Sequence, residues 1–246
     1  MTQWVLEGLR AGIRTTRYPF APETAAGVSP GLPAAGELAR PDLERLIARC
    51  PTAALASADG RLVVDARRCV HCFRCVRGSD TPAPWQGGYE WATGEGTLGK
   101  TFTRSLHIRV VDAGDCGACL HEVKQLAGPY YSLHRLGFFI SPTPRQADVL
   151  LVVGPGTDQM REALTKAYKA MPTPRTVIAV GTCALSGGVF GSNFACGGGI
   201  SSILPVDVEV PGNPPPPLAI LHALLLATGR AAPAAKERQT AGERMP

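Results

Sequence analysis

Eight cysteines are the residues of this 246-residue chain best suited to chemistry, and they fall into two groups. Cys69, Cys72 and Cys75 stand in a C-x-x-C-x-x-C run, and Cys50, followed at once by Pro51, lies upstream. Thiolates are soft, strongly donating ligands that stabilise iron at both of its oxidation levels. Three close cysteines completed by a distant Cys-Pro form the ligand pattern of an iron-sulfur cubane. A structural zinc site is the competing use, but zinc ribbons pair two separated C-x-x-C knuckles, and the triplet does not follow that spacing. Cys50, Cys69, Cys72 and Cys75 are therefore expected to hold one 4Fe-4S cluster. Arg67, Arg68, Arg74 and Arg77 lie around them in sequence. They either raise the cluster's potential by stabilising its more negative reduced form or make up a solvated basic face.

Cys116 and Cys119 form Asp-Cys-Gly-Ala-Cys, which taken alone reads equally well as a thioredoxin-type dithiol. Cys183 stands in Gly181-Thr182-Cys183-Ala184-Leu185-Ser186-Gly187-Gly188, and Cys196 lies in a glycine-rich loop further on. Glycines in such segments let the backbone approach an inorganic cluster closely and present N–H groups to its sulfides. His71, His107, His121, His134 and His222 are scattered and read as surface or core residues.

The elements that must position these thiols change character along the chain. Apolar residues at four-residue spacing over 2–14, with Trp4, Val5, Leu9 and Ile13, predict a weakly amphipathic docking helix. Residues 1–40 are read as that helix and a Pro/Ala/Gly strap, and 41–76 as a small α+β unit with a helix over 42–49 and a hairpin centred on Asp59 and Gly60. Residues 77–104 read as a linker. From 105 to 230 short apolar strands over 106–111, 149–153, 176–180 and 206–210 alternate with helices over 117–126, 159–170 and 217–227. That alternation predicts an α/β domain with an open parallel sheet of flavodoxin-like type, covered on both faces. Sites in such sheets form beyond the carboxyl ends of the strands, where Cys116, Cys119 and Cys183 fall. The tail 231–246 has few apolar residues and is expected to be disordered.

Composition narrows the function. The formal charge of +5 is spread out, and no basic block with interleaved aromatics argues for nucleic-acid binding. The longest apolar run, 218–227, is interrupted by His222 and is too short to span a bilayer. No signal-peptide pattern opens the sequence, so a cytoplasmic chain is expected, in which cysteines serve metals or redox chemistry rather than disulfides.

The stretch Cys-Pro-Thr-Ala-Ala-Leu with Asp-Ala-Arg-Arg-Cys-Val-His-Cys-Phe-Arg-Cys resembles a two-cluster ferredoxin that has kept one cluster, since no cysteine precedes Cys50 and no Cys-Pro follows Cys75. The N-terminal Gly-Ile-Arg-Thr-Thr-Arg-Tyr-Pro resembles the ferredoxin-like subunit of formate hydrogenlyase-type complexes. From about Leu106 to Gly229 the chain resembles the proximal-cluster subunit shared by membrane-bound nickel-iron hydrogenases and complex I. The motifs are the two cysteine segments above, Gln146-Ala147-Asp148-Val149-Leu150, Met171-Pro172-Thr173-Pro174 and Pro205-Val206-Asp207-Val208-Glu209-Val210-Pro211-Gly212. The Cys116-x-x-Cys119 spacing is that of the hydrogenase branch.

The resemblance implies a fusion of two neighbouring subunits that carries two 4Fe-4S clusters and relays electrons to or from a catalytic partner. It further implies a large catalytic subunit and membrane subunits as partners, and a peripheral place on the cytoplasmic face of the inner membrane. Quinone reduction in a complex I-like assembly is the alternative chemistry. A scaffold with a degenerate second site is another, and a thioredoxin-like dithiol enzyme a third. The family's Pro-Gly-Cys-Pro ligand is here Pro211-Gly212-Asn213-Pro214. The eight cysteines divide into two sets of four only if Cys196 joins Cys116, Cys119 and Cys183. Ligation by Asn213, a water-ligated iron and a three-iron cluster are the other possibilities.

Overall fold

The computed structural model describes residues 3–21, 23, 29–78, 80–96, 98–99, 102 and 104–230. The tail expected to be disordered, 231–246, lies outside the described residues. The amphipathic N-terminal segment forms α1 (Gln3–Ala11), none of whose residues is buried. Trp4, Leu9 and the following Ile13 stand exposed.

A small unit comes next. It begins with β1 (Leu32–Pro33) and β2 (Gly36–Glu37). α2 (Arg40–Arg49) has Pro41 in its first turn, where a missing N–H costs nothing, and buries Leu43 and Leu46. These side chains pack on a hairpin of β3 (Leu55–Ala58) and β4 (Arg61–Val64) around the fully buried Leu62. The turn is Asp59-Gly60 with φ of 51° and 75°, the doubly positive geometry that suits the twist of a two-residue hairpin. β2 adds to β4, giving the antiparallel order β2-β4-β3. The stretch read as a linker is tied into its surroundings by two short strands. β5 (Trp85–Gln86) pairs with β1, and β6 (Thr93–Gly94) joins the large sheet.

The large unit runs β7 (Leu106–Asp112), α3 (Ala118–Gln125), β8 (Phe138–Ile140), β9 (Val149–Val153), α4 (Asp158–Ala170), β10 (Thr176–Val180) and α5 (Thr182–Ser186). A small hairpin, β11 (Ser192–Asn193) with β12 (Cys196–Gly197), precedes β13 (Val208–Val210) and α6 (Pro217–Ala227). Its sheet has the order β6-β13-β10-β9-β7-β8. The five strands from β7 onwards are parallel in the order second, first, third, fourth, fifth, which is the flavodoxin-like arrangement, and β6 closes one edge antiparallel.

Every residue of β9 and β10 is buried, as an apolar strand covered on both faces must be. Alternate side chains sort the core into two layers. Leu151, Val153, Ile178 and Val180 face α3 and α6, while Leu150, Val152, Val177 and Ala179 face α4 and α5.

α6 is buried along its whole length, His222 included. The N-terminal strap covers the side turned away from the sheet. The Tyr18 hydroxyl pairs with His222 Nδ1, Tyr18 stacks on Trp91 at 5.6 Å, and Trp91 meets the His222 ring edge-on at 4.9 Å. Thr16 N–H donates to the Tyr130 carbonyl at 2.8 Å, and Arg135 donates to the carbonyl of Tyr18. The Thr-Thr-Arg-Tyr segment thus packs on the α/β unit. Among the described residues no helix is long and apolar enough to cross a membrane.

Burial pushes His222 from its ordinary 6.5 down to about 4. The folded state keeps the ring neutral while the unfolded ring takes up a proton, so stability present above pH 6.5 is lost as pH falls towards 4. Urea midpoints measured across that window are expected to fall more steeply for the wild-type chain than for His222→Gln, which keeps an acceptor for Tyr18 without titrating. Parallel acid limbs in the two proteins would show that another group governs the loss.

Candidate metal centres

Cys50, Cys69, Cys72 and Cys75 line one cavity, whose remaining wall includes Pro33, Leu55, His71, Phe73 and Trp85. Cys50 caps the C-terminus of α2, and the Ala54 N–H donates to its sulfur at 3.2 Å. Three non-glycine residues beside these cysteines, Ala53, His71 and Phe73, have φ of 50°, 52° and 59°. Left-handed backbone of this kind costs about 1–3 kcal/mol per residue and persists where the surroundings over-determine it, commonly at functional sites. Phe73 is fixed by stacking on Trp85 at 5.3 Å and by the Arg77 guanidinium 4.8 Å above its ring.

Burial pushes the Cys69 thiol up to about 11; the His71 backbone N–H draws it down, and Cys75, Cys50 and Cys72 push it up again. Burial likewise raises Cys75, with Cys72 and Cys50 adding to the shift. Thiols raised in this way favour the thiolate only beside a cationic centre, so a thiolate-bound metal group fits a donor set that holds Cys69 and Cys75. Among the described residues no three His, Cys, Asp or Glu side chains are arranged to hold a single metal ion; these four line a shared cavity instead. The arginines expected to surround the site divide. Arg67 pairs with Glu209 at 3.1 Å and Arg68 with Asp65 at 3.4 Å, whereas Arg74 lines the cavity. Arg49, which the sequence did not single out, donates to the carbonyls of Gly78 and Arg77 at 2.7 and 3.1 Å and holds the end of the cysteine run.

The second group gathers where the carboxyl ends of β7, β10 and β13 meet. Asp112 Oδ1 accepts from the N–H groups of Gly114 and Asp115 at 2.9 and 2.7 Å, and Asp115 Oδ2 from those of Gly117 and Leu120 at 2.9 and 3.1 Å. These carboxylates build the turn that leaves Cys116 exposed and buries Cys119 at the start of α3. A Cβ at Gly181 would lie 2.5 Å from Cys119 Sγ, and one at Gly188 would lie 2.8 Å from Cys183 Sγ. Burial raises Cys119 far above its usual value, with Asp115, Cys183 and Cys116 adding to it. Cys183 is raised by burial, then by Cys116, Asp115 and Cys196.

Cys116, Cys119 and Cys183 thus feel one another's charge, and Cys196, which also acts on Cys183, is buried with its thiol donating to the Gly191 carbonyl at 3.3 Å. The Gly212 carbonyl also reaches this site, 3.5 Å from where a Gly181 Cβ would be. Asn213 follows it, with its amide donating to the Val70 carbonyl at 3.1 Å.

The two sites share a junction. The hydroxyl of Thr182, a fully buried residue, lies 3.0 Å from the Cys69 carbonyl and 3.1 Å from the Gly212 carbonyl. Ser186 Oγ reaches the Arg67 carbonyl at 3.0 Å. Neither hydroxyl was legible as a functional residue, because a single Thr or Ser in a glycine-rich loop carries no signal of its partner. His71 also sits at this junction. Burial lowers its pKa, and both ring nitrogens are buried without a hydrogen-bond partner among the described residues.

The sequence profile of the family described as NADH ubiquinone oxidoreductase, 20 Kd subunit, matches residues 116–227. An uncharacterized protein of Methanocaldococcus jannaschii is 43% identical over 122 residues, covering 50% of this chain and 82% of that protein. The probable membrane-bound hydrogenase subunit mbhJ of Pyrococcus furiosus is 41% identical over 130 residues, 53% of this chain and 78% of the relative. Formate hydrogenlyase subunit 7 of Escherichia coli is 36% identical over 148 residues, 60% of this chain and 58% of the relative. Among solved structures, the membrane-bound sulfane sulfur reductase, an archaeal respiratory membrane complex, contains a chain 27% identical with a TM-score of 0.45, covering 52% of this chain and 73% of that one. A chain of an NAD+-reducing [NiFe]-hydrogenase gives 21% identity and a TM-score of 0.43, covering 53% of this chain and 96% of that one.

Because a side chain at Gly181 meets the Cys119 sulfur and its φ of 90° suits glycine alone, Gly181→Ala is expected to displace Cys119. Iron analysis of the anaerobically purified variant should show loss of the metal bound at the second group with the first group's share kept. Full iron at both groups would mean that Cys119 is not a ligand.

Proposed function

This chain belongs to the family of the 20 kDa subunit of NADH ubiquinone oxidoreductase, and we propose that it is an iron-sulfur electron-transfer subunit of a membrane-associated, nickel-iron-hydrogenase-like complex. In this reading Cys50, Cys69, Cys72 and Cys75 hold one 4Fe-4S cluster, and Cys116, Cys119, Cys183 and Cys196 hold a second. Residues 41–76 act as a one-cluster ferredoxin-like module fused to the α/β unit of 105–230. Such clusters, when bound, supply one-electron storage and transfer. The chain's own residues fix where that happens. The observation that carries the proposal is the junction, where Thr182, adjacent in sequence to Cys183, binds the backbone of Cys69. One buried residue thus links ligands of both sites and holds them at a fixed separation. Trp85, Phe73, Leu55 and Pro33 supply the apolar part of the first site's wall.

In this reading the chain is not catalytic alone and works with a partner. The names of the relatives, a membrane-bound hydrogenase subunit and a formate hydrogenlyase subunit, support a large catalytic subunit and membrane subunits as that partner set. The words membrane-bound in the first of these names support a peripheral position at a membrane, which this reading puts on the cytoplasmic face of the inner membrane. A second reading, electron delivery to quinone in a complex I-like assembly, is favoured by the description of the family itself.

The choice of Cys196 as fourth ligand rests on its burial and its electrostatic influence on Cys183, and that of Asn213 as its rival on the nearness of the Gly212 carbonyl and the Cys119 sulfur to the same face of Gly181. Anaerobically purified protein is expected to be brown and to carry about eight iron atoms per chain with matching acid-labile sulfide, as two cubanes demand. Cys196→Ser should lower the second cluster's iron and alter its electron paramagnetic resonance signal, and Asn213→Ala should leave both in place. The reverse pattern makes Asn213 the ligand. Colourless protein containing zinc sinks the relay, and a value near four leaves a scaffold with only the first site filled.

A further inference from the structure

Among the described residues four buried side-chain nitrogen or oxygen atoms lack a hydrogen-bond partner, and three of them are His71 Nδ1, His71 Nε2 and the Tyr89 hydroxyl. Buried polar atoms in native proteins are nearly always satisfied, so a cluster of orphans points to a group that belongs there. His71 lines the cavity of the first four cysteines. It also lines a second, small cavity, whose wall includes Tyr89, Glu90, Pro211 and Gly212. The imidazole is thus a partition between the two spaces.

A neutral imidazole has one donating and one accepting nitrogen. Tyr89, whose hydroxyl also lacks a partner, is in the wall of the second cavity and can supply the donor that the accepting nitrogen requires. The first offers an acceptor for the N–H once sulfide is present. We propose that His71 donates its ring N–H to a sulfide of the cluster held by Cys50, Cys69, Cys72 and Cys75, while its other nitrogen accepts from Tyr89 through a water in the second cavity. Tyr89 thereby selects the tautomer, and His71 tunes the cluster. A hydrogen bond to a cluster sulfur favours the reduced, more negative state, so the bond raises the first cluster's potential. This inference rests on the functional reading above, in that it requires the first cluster.

The test is a redox titration of the full-length protein, followed by electron paramagnetic resonance of the first cluster, with iron and sulfide counted in each sample. His71→Leu is expected to make the cluster about tenfold harder to reduce at a given potential, a shift of about 59 mV for a one-electron couple. His71→Asn keeps an N–H on a side chain tolerant of left-handed backbone and should recover part of the shift. Tyr89→Phe should move the potential the same way by a smaller factor. Pulsed measurements with isotopically labelled histidine should show a weak nitrogen coupling that His71→Leu abolishes.

Full iron with an unmoved potential in His71→Leu overturns this inference alone. A coupling as strong as that of an iron ligand overturns it too. Wild-type protein without iron at the first site overturns the functional reading and this inference with it. Should His71→Leu fail to take up iron, Tyr89→Phe decides: a shift towards harder reduction supports the bond, and an unmoved potential rejects it.

Discussion

The buried hydroxyl of Thr182 is the constraint through which the rest of the molecule is organised. A parallel sheet delivers the carboxyl ends of β7, β10 and β13 to one edge, so the loops carrying Cys119, Cys183 and Gly212 converge without any long excursion of the chain. Thr182 opens the helix after β10, and its backbone N–H reaches the Gly212 carbonyl at 2.8 Å while its hydroxyl reaches Cys69. From the α/β side, Thr182, Ser186 and Asn213 reach the main-chain carbonyls of Cys69, Arg67 and Val70, and Glu209 pairs with Arg67. A buried hydrogen bond contributes about 0.5–1.5 kcal/mol net, and a part-exposed ion pair less, so these contacts matter more for orientation than for affinity. Each hydrogen bond joins a short side chain of the α/β unit to a main-chain carbonyl at the first cysteines, which fixes the sulfurs more firmly than contacts between long side chains would.

Much of the scaffold was legible in the sequence because its signals are local. Apolar runs such as 149–153 and 176–180 could only be strands covered twice, and Asp59-Gly60 announced its hairpin through the positive φ that this pair tolerates. The three-residue β8 and two-residue β2 and β6 were not, since their existence depends on a neighbouring strand rather than on their own residues. The stretch 77–104 read as a linker for the same reason, although Gly94 sits so close to Asp207 and Val208 that no side chain fits there.

The grouping of cysteines was readable from spacing, but their supports were not. Asp112, Asp115 and Arg49 act by short bonds to backbone groups, which leave no compositional trace. His71 looked like one of five scattered histidines until the fold set it between two cavities. The partners of the arginines were equally hidden: Arg67 and Arg68 each have a carboxylate within reach, whereas Arg74 lines the cavity.

The pairing of Tyr18 with His222 joins residues 204 positions apart. A contact of that span bears on biosynthesis. Chains emerge from the ribosome N-terminus first, and contacts between distant segments form late because loop closure must precede them. The 50–75 segment is complete long before α6 exists to receive Tyr18, so its four thiols wait, reduced and uncovered by the α/β unit, during most of translation. α6 in turn emerges with every side chain apolar or destined for burial, and it is sheltered only when the strap folds back over it. The strap is therefore the last wall of the core to close, and until it does the nascent chain presents its most aggregation-prone helix to the cell.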